Sequence, residues 1–127
     1  MKKPLCGVIL SDPWYALTIA DGANCDIPGL YEWQIVGVGS YIGKYTNFPQ
    51  RAKLYYRNVL NLLNAKPHRK SKPSGYRRIH HELADAVRTG KTINLIILEN
   101  PPLGDIYRRE RELIHKRGTL NGGRTPT

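Results

Sequence analysis

Glu110, Arg51 and two glycine–tyrosine triplets are the residues of this 127-residue chain whose types and spacing could carry chemistry. At helical spacing Ile106, Glu110, Leu113, Ile114 and Arg117 share one face. Glu110 therefore falls among apolar residues that must turn toward a core. A carboxylate in that setting needs a partner. Two readings stand: a buried ion pair with an arginine, or a catalytic or metal-binding role. Glu112 is different, because it lies four residues from both Arg108 and Lys116, the spacing of an exposed helix ladder. Arg51 falls in the first turn of a helix, where the dipole disfavours a positive side chain. The same place favours gripping a phosphate, since helix N–H groups and a guanidinium can serve one anion. Tyr55, one turn later, shares its face, and a surface arginine over a packed aromatic is the plainer alternative. Gly29-Leu30-Tyr31 and Tyr41-Ile42-Gly43 place two tyrosines ten residues apart.

The elements that must position these residues follow from periodicity. Gly29 to Val36 alternates Leu30, Glu32 and Gln34 with Tyr31, Trp33 and Ile35, the pattern of a strand. Gly37-Val38-Gly39 can reverse the chain, and Ser40 to Tyr45 returns, so an antiparallel hairpin is expected with the tyrosines on neighbouring strands. Asn47 is a good cap and Pro49 is tolerated only in a first turn, which predicts a helix to about Asn64. Residues 66–75 are a basic loop rich in Pro, Gly and Ser. A second helix is expected from Tyr76 to Thr89, stopped by Gly90. Thr92 to Glu99 is short, apolar and β-branched, a central buried strand. A last helix starts near Asp105 as its cap and ends by Gly118. Residues 5–10 and 14–20 read as short extended segments around a Ser11-Asp12-Pro13 turn. The expectation is an α+β fold with a small central antiparallel sheet of about three strands flanked by helices, in the order β-β-α-α-β-α, with room for extra N-terminal strands.

Composition narrows the class. The formal net charge is +10, but residues 1–43 carry two basic and four acidic groups, residues 44–91 twelve and two, and residues 92–127 six and four. The middle third holds the excess, as expected where a protein displaces counterions from a phosphate backbone. A solvated basic face is the alternative. Cys6 and Cys25 form no CxxC pair and have no histidine at zinc-finger spacing, so neither a zinc site nor a disulfide scaffold is supported. No apolar run approaches the roughly 18 residues of a membrane span. The first residues are too short in apolar length for a signal peptide, which predicts a cytoplasmic protein without a membrane partner.

Taken together, the two triplets, Arg51 eight residues after Gly43 and Glu110 three residues before Leu113-Ile114 resemble the GIY-YIG nuclease superfamily. The resemblance runs from Gly29 to Asn121, with Leu30 in place of the usual isoleucine. It divides the chain into an N-terminal extension (1–28) packed on the domain, a nuclease domain (29–121) with a basic insert (66–91), and a flexible tail (122–127). It implies hydrolysis of a DNA phosphodiester with one divalent cation per active site, Mg²⁺ or Mn²⁺, held by Glu110. In that scheme Arg51 neutralises the scissile phosphate, Tyr55 and Asn121 complete the set, and Tyr31, with Tyr41 close behind, is the base or water-orienter. A phenol of pKa about 10 must be lowered by neighbouring cations to act at neutral pH, and Lys44 directly after the second triplet is expected to do so with the metal.

Lys66, Arg69, Lys70, Lys72, Arg77 and Arg78 are expected to make sequence-independent phosphate contacts, with His80 and His81 on the helix surface beside them. Paired histidines also occur in ββα-metal nucleases, but the strong strand after them and the missing second ligand pair argue against that site. Two functions follow: a stand-alone endonuclease, in which a homodimer would pair two sites for double-strand cleavage, or a non-catalytic DNA- or RNA-binding module derived from the same fold.

Overall fold

The computed structural model describes Leu10, residues 13–66 and residues 76–122. Four strands and three helices follow in the order β1 (Ala16–Ile19), β2 (Gly29–Ile35), β3 (Gly39–Tyr45), α1 (Phe48–Leu63), α2 (Arg78–Thr89), β4 (Ile93–Glu99) and α3 (Ile106–Arg117). The fold is α+β, as expected from the alternation of patterns. The sheet has the order β1-β4-β2-β3. β2 pairs antiparallel with both β3 and β4, so β4 is the central apolar strand its composition predicts. β1 is an extra N-terminal strand of the kind the sequence left room for, and it corrects the purely antiparallel expectation. It pairs parallel with β4, Leu17 opposite Leu95 and Ile19 opposite Ile97, which makes the sheet mixed and residues 16–19 integral to it. No hairpin signal could reveal a pairing between segments so far apart in sequence.

Strand alternation assigns side chains to two faces. Tyr31, Trp33 and Ile35 on β2, with Leu95 and Ile97 on β4, pack beneath α1 and α2 against Val59, Ile79 and Leu83. Leu30 on β2 and Ile42 on β3 face the other way and bury Leu113 of α3. Helix α1 starts where expected: Asn47 Oδ1 accepts the Gln50 amide at 3.0 Å, and Pro49 occupies the first turn. Asp105 does not cap α3 through its side chain. It already lies inside a 3₁₀ turn, Leu103–Asp105, and its carboxylate pairs instead with Arg108 at 3.5 Å. Arg109 fastens α3 to the end of β4 through Glu99, at 2.6 and 3.2 Å.

After α3 the chain turns along the open edge of β3. Leu120 donates its amide to the Ser40 carbonyl at 2.8 Å, and Thr119 Oγ1 accepts the Ser40 amide at 2.9 Å. Asn121 completes this cover by both accepting from the Ile42 amide and donating to the Ile42 carbonyl, each at 2.8 Å. Edge groups that would otherwise be unpaired are satisfied side by side, as a short added strand would satisfy them. At the far end of β2, Asn100 clamps the preceding loop, donating to the Asn24 and Pro28 carbonyls at 2.8 and 3.0 Å.

Candidate functional site

The α1/α2 face of the hairpin carries a cluster of phenols. Register sets Tyr31 opposite Gly43 and Trp33 opposite Tyr41, so Tyr31 and Tyr41 are diagonal neighbours with ring centroids 6.5 Å apart. Tyr55 from α1 meets Tyr31 edge-on at 5.9 Å, and their hydroxyls share a hydrogen bond of 2.6 Å. The motif glycines make room for this. A Cβ on Gly43 would collide with the ring end and hydroxyl of Tyr31, and one on Gly29 with Asn100 and the Glu99 carbonyl. Tyr31 and Tyr55 are buried, while Tyr41 is half-buried. Burial pushes the Tyr31 phenol well above the usual tyrosine range, against the pull of the Arg51 and Arg77 charges. Tyr55 is raised in the same way, again by burial first. Neutral phenols are the state such an apolar setting favours.

Arg51 stands beside this cluster, lining a small space with Tyr31, Phe48 and Tyr55. Its own amide closes the first turn on the Asn47 carbonyl at 3.1 Å. Arg77, at the N-cap of α2, is the residue that sequence spacing did not place here. Its guanidinium is held above its usual pKa range by the neighbouring phenols, Tyr41 first. Among the described residues no carboxylate pairs with Arg51 or Arg77.

Lys44 and Glu110 occupy the other side. Lys44 lies opposite Leu30, so it shares the α3 face and does not adjoin the phenols. The expectation that it would lower their pKa is corrected by the alternation of the strand itself: consecutive residues after Tyr41-Ile42-Gly43 cannot all point one way. Lys44 Nζ instead lies 3.6 Å from Glu110 Oε1 and 5.1 Å from the Tyr107 ring centre. The Glu110 side chain keeps 14 % of its surface exposed, and Lys44 is its ion-pair partner among the described residues. The buried-ion-pair reading of Glu110 therefore holds in part, with a lysine rather than an arginine. No three His, Cys, Asp or Glu side chains converge among the described residues. A single carboxylate, loosely paired and partly open to solvent, fits a Mg²⁺ that keeps most of its water and takes its remaining ligands from phosphate. Asn121 spends its amide on the edge of β3, a structural use that fixes where Tyr41 and Lys44 lie.

Of the residues expected to contact phosphate, Lys66 is exposed and lends its carbonyl to the Tyr76 hydroxyl at 2.8 Å. Arg69, Lys70 and Lys72 lie outside the described residues. Arg78 pairs with Glu82 at 3.4 Å and one of its guanidinium nitrogens is buried without a hydrogen bond, so it is not the free surface cation expected. His80 is likewise corrected. It is 8 % exposed, packed edge-on against Tyr55 at 5.4 Å, and its Nδ1 accepts the Arg77 amide at 3.1 Å. The helical stripe of α2 puts His80 next to Ile79 under α1, where a surface residue cannot be. His81 is exposed, edge-on to Tyr76.

Glu32 is the charged residue that sequence reasoning passed over. It is 1 % exposed on the α3 face. Arg117 Nη2 stands 2.8 Å from its Oε1, yet neither carboxylate oxygen makes an aligned hydrogen bond. Alternation with Leu30 and Gln34 gave no warning, because the cover supplied by α3 is a tertiary fact. Comparison with protein-family models, curated proteins and solved structures finds no match to this chain. No helix among the described residues is long and apolar enough to cross a membrane.

Proposed function

We propose that this chain is a divalent-metal-dependent endonuclease that hydrolyses DNA phosphodiesters, as its resemblance to the GIY-YIG nucleases implies. The observation that carries the reading is the meeting of Arg51 with the bonded phenols Tyr31 and Tyr55, with no carboxylate among the described residues to neutralise it. An unpaired guanidinium at a helix start over an aromatic pocket is suited to an anion. Support also comes from the edge position of β3. Ser40 and Ile42 have their outward groups covered, but the same alternation turns those of Lys44 outward past the end of that cover. A phosphate lying across this open stretch could be reached from both faces, by Arg51 from one and by Lys44 and Glu110 from the other.

Glu110 would hold the cation. Bound there, Mg²⁺ or Mn²⁺ supplies stabilisation of the charge that develops on the leaving oxygen. Arg51 would neutralise the scissile phosphate and orient it. Tyr41 suits the proton acceptor better than Tyr31, whose hydroxyl is spent on Tyr55 and whose burial opposes ionisation. As the water oxygen bonds to phosphorus its proton would pass to the Tyr41 oxygen, which gives up its own proton to solvent, and one P–O ester bond breaks with its electron pair leaving on the departing oxygen. Double-strand cleavage would take a second site, supplied by a second copy of the chain.

A non-catalytic nucleic-acid-binding module is the second reading, favoured by the placement of Glu110 and the phenols on opposite faces. Incubation with supercoiled, linear and branched DNA in Mg²⁺ and in Mn²⁺ separates the two. The nuclease reading expects cleaved products that chelator abolishes. Glu110→Gln and Arg51→Gln should each lose cleavage by about 100-fold or more while still binding DNA. Undiminished cleavage by both variants would remove the site assignment, and salt-dependent binding without turnover would establish the binding module.

A further inference from the structure

We infer that Arg77 is a second phosphate-contacting residue of the same site, paired with Arg51 across the phenol cluster and bearing on Tyr41. The inference deepens the proposed nuclease reading and rests on it. Its basis is a chain of contacts that fixes where Arg77 begins. Its backbone amide is held by His80 Nδ1 at 3.1 Å. His80 is in turn wedged against Tyr55 and Tyr76, at 5.4 and 6.1 Å between ring centres, with Asn58 Nδ2 3.4 Å from its Nε2. Tyr55 then bonds Tyr31, which neighbours Tyr41. The helix start carrying Arg77 is therefore tied to the cluster that Arg51 approaches from α1.

Two features separate Arg77 from an ordinary surface arginine. It is exposed, yet among the described residues it has no acidic partner, whereas its neighbour Arg78 is spent on Glu82. Of the three phenols it is Tyr41, the one that solvent can reach, that most raises the Arg77 pKa. The first turns of α1 and α2 contain no acidic residue, so no carboxylate there offsets the positive end of either helix. Two guanidinium groups held at one phenol cluster can hold a phosphodiester in a fixed orientation, each donating to a different oxygen. Such an arrangement positions the scissile bond against Tyr41, which a mobile basic surface cannot do.

The test compares full-length wild type, Arg77→Gln, Arg77→Ala, Arg77→Lys and, as a control for loss of one charge, Lys91→Gln. Cleavage of supercoiled DNA in Mg²⁺ is measured for kcat and KM. Binding of a fluorescein-labelled duplex in chelator is measured by anisotropy as salt is raised. Arg77→Gln is expected to lower kcat by about 100-fold and to reduce the salt slope of binding by about one. Lys91→Gln should keep wild-type kcat. Arg77→Lys should recover part of the loss, and millimolar guanidinium should restore activity to Arg77→Ala, a rescue that a purely structural role would not give. Wild-type kcat and salt slope in Arg77→Gln overturn the inference. If the wild type cleaves no DNA, the nuclease reading fails by itself. The salt slope then decides for Arg77: a lower slope in Arg77→Gln alone keeps it as a phosphate contact, and equal slopes in Arg77→Gln and wild type remove it.

Discussion

The two faces of the β2–β3 hairpin hold polar chemistry in opposite ways. On the α1/α2 face, Tyr31 and Tyr55 are buried and neutral, bonded to each other, with Arg51 and Arg77 left without acidic partners among the described residues. On the α3 face, charges are matched locally: Glu110 with Lys44, Glu32 with Arg117, and Arg109 with both Glu99 and Glu112. The first face has an unsatisfied positive field and a rigid apolar floor, the usual condition of a surface awaiting an anion. The second is internally compensated. Its longest pair among the described residues, Lys44 and Glu110 at 3.6 Å, is where a cation or a phosphate would meet least resistance. A catalytic use of the molecule therefore requires the edge of β3 to bring an open anion site and a latent cation site to one phosphate.

The largest expected effect breaks the symmetry between the two motif tyrosines. Tyr41→Phe should lower kcat for DNA cleavage by about 100-fold or more, the range of a lost general base. Tyr31→Phe should cost far less, because its hydroxyl faces Tyr55 and not solvent. The opposite ranking in a steady-state comparison would assign the proton transfer to Tyr31 and require that the buried pair opens during the reaction.

The compensated face is tested by stability. Arg117→Ala leaves the Glu32 carboxyl without its cation at 1 % exposure, and removing one partner of a buried pair costs about 3 to 5 kcal/mol. Arg117 itself keeps 45 % of its side chain exposed, so about 2 kcal/mol is expected in chemical denaturation, with water reaching part of the gap. Glu32→Gln, which removes the charge instead, should cost less than Arg117→Ala. Equal losses would mean that the pair contributes packing rather than charge balance.

Sequence pattern made the order of elements legible because each signal was local. Asn47, Pro49 and Gly90 punctuate their helices, and the alternation of residues 29–36 and 40–45 fixes a hairpin. The site was legible only where spacing along one element sufficed: Arg51 with Tyr55, and Glu110 on the apolar stripe of α3. What escaped depends on which elements cover which face. The parallel pairing of β1, the burial of His80 and Glu32, the separation of Lys44 from the phenols and the approach of Arg77 to Tyr41 are all set by tertiary packing. Lys44 is the instructive case, since its position next to the second triplet suggested proximity to Tyr41 while the pleat of the strand sends it to the opposite face.

The smallest expected effect concerns the neutral phenol pair. Tyr31→Phe removes one hydroxyl and leaves the Tyr55 oxygen buried without its 2.6 Å partner, a loss of about 1 to 2 kcal/mol at neutral pH. The sign of the pH dependence follows from burial. Both phenols ionise less readily folded than unfolded. Below the unfolded value of about 10 both states hold their protons and stability is unaffected. Above it the unfolded chain releases protons that the folded chain retains, so stability falls as pH rises. Melting temperatures recorded from neutral to strongly alkaline pH should therefore decline above about pH 10, and less steeply in Tyr31→Phe, which has one buried phenol fewer. Parallel declines in the two proteins would show that Tyr31 ionises as freely folded as unfolded, and the α1/α2 face would then be wet rather than an apolar floor beneath two arginines.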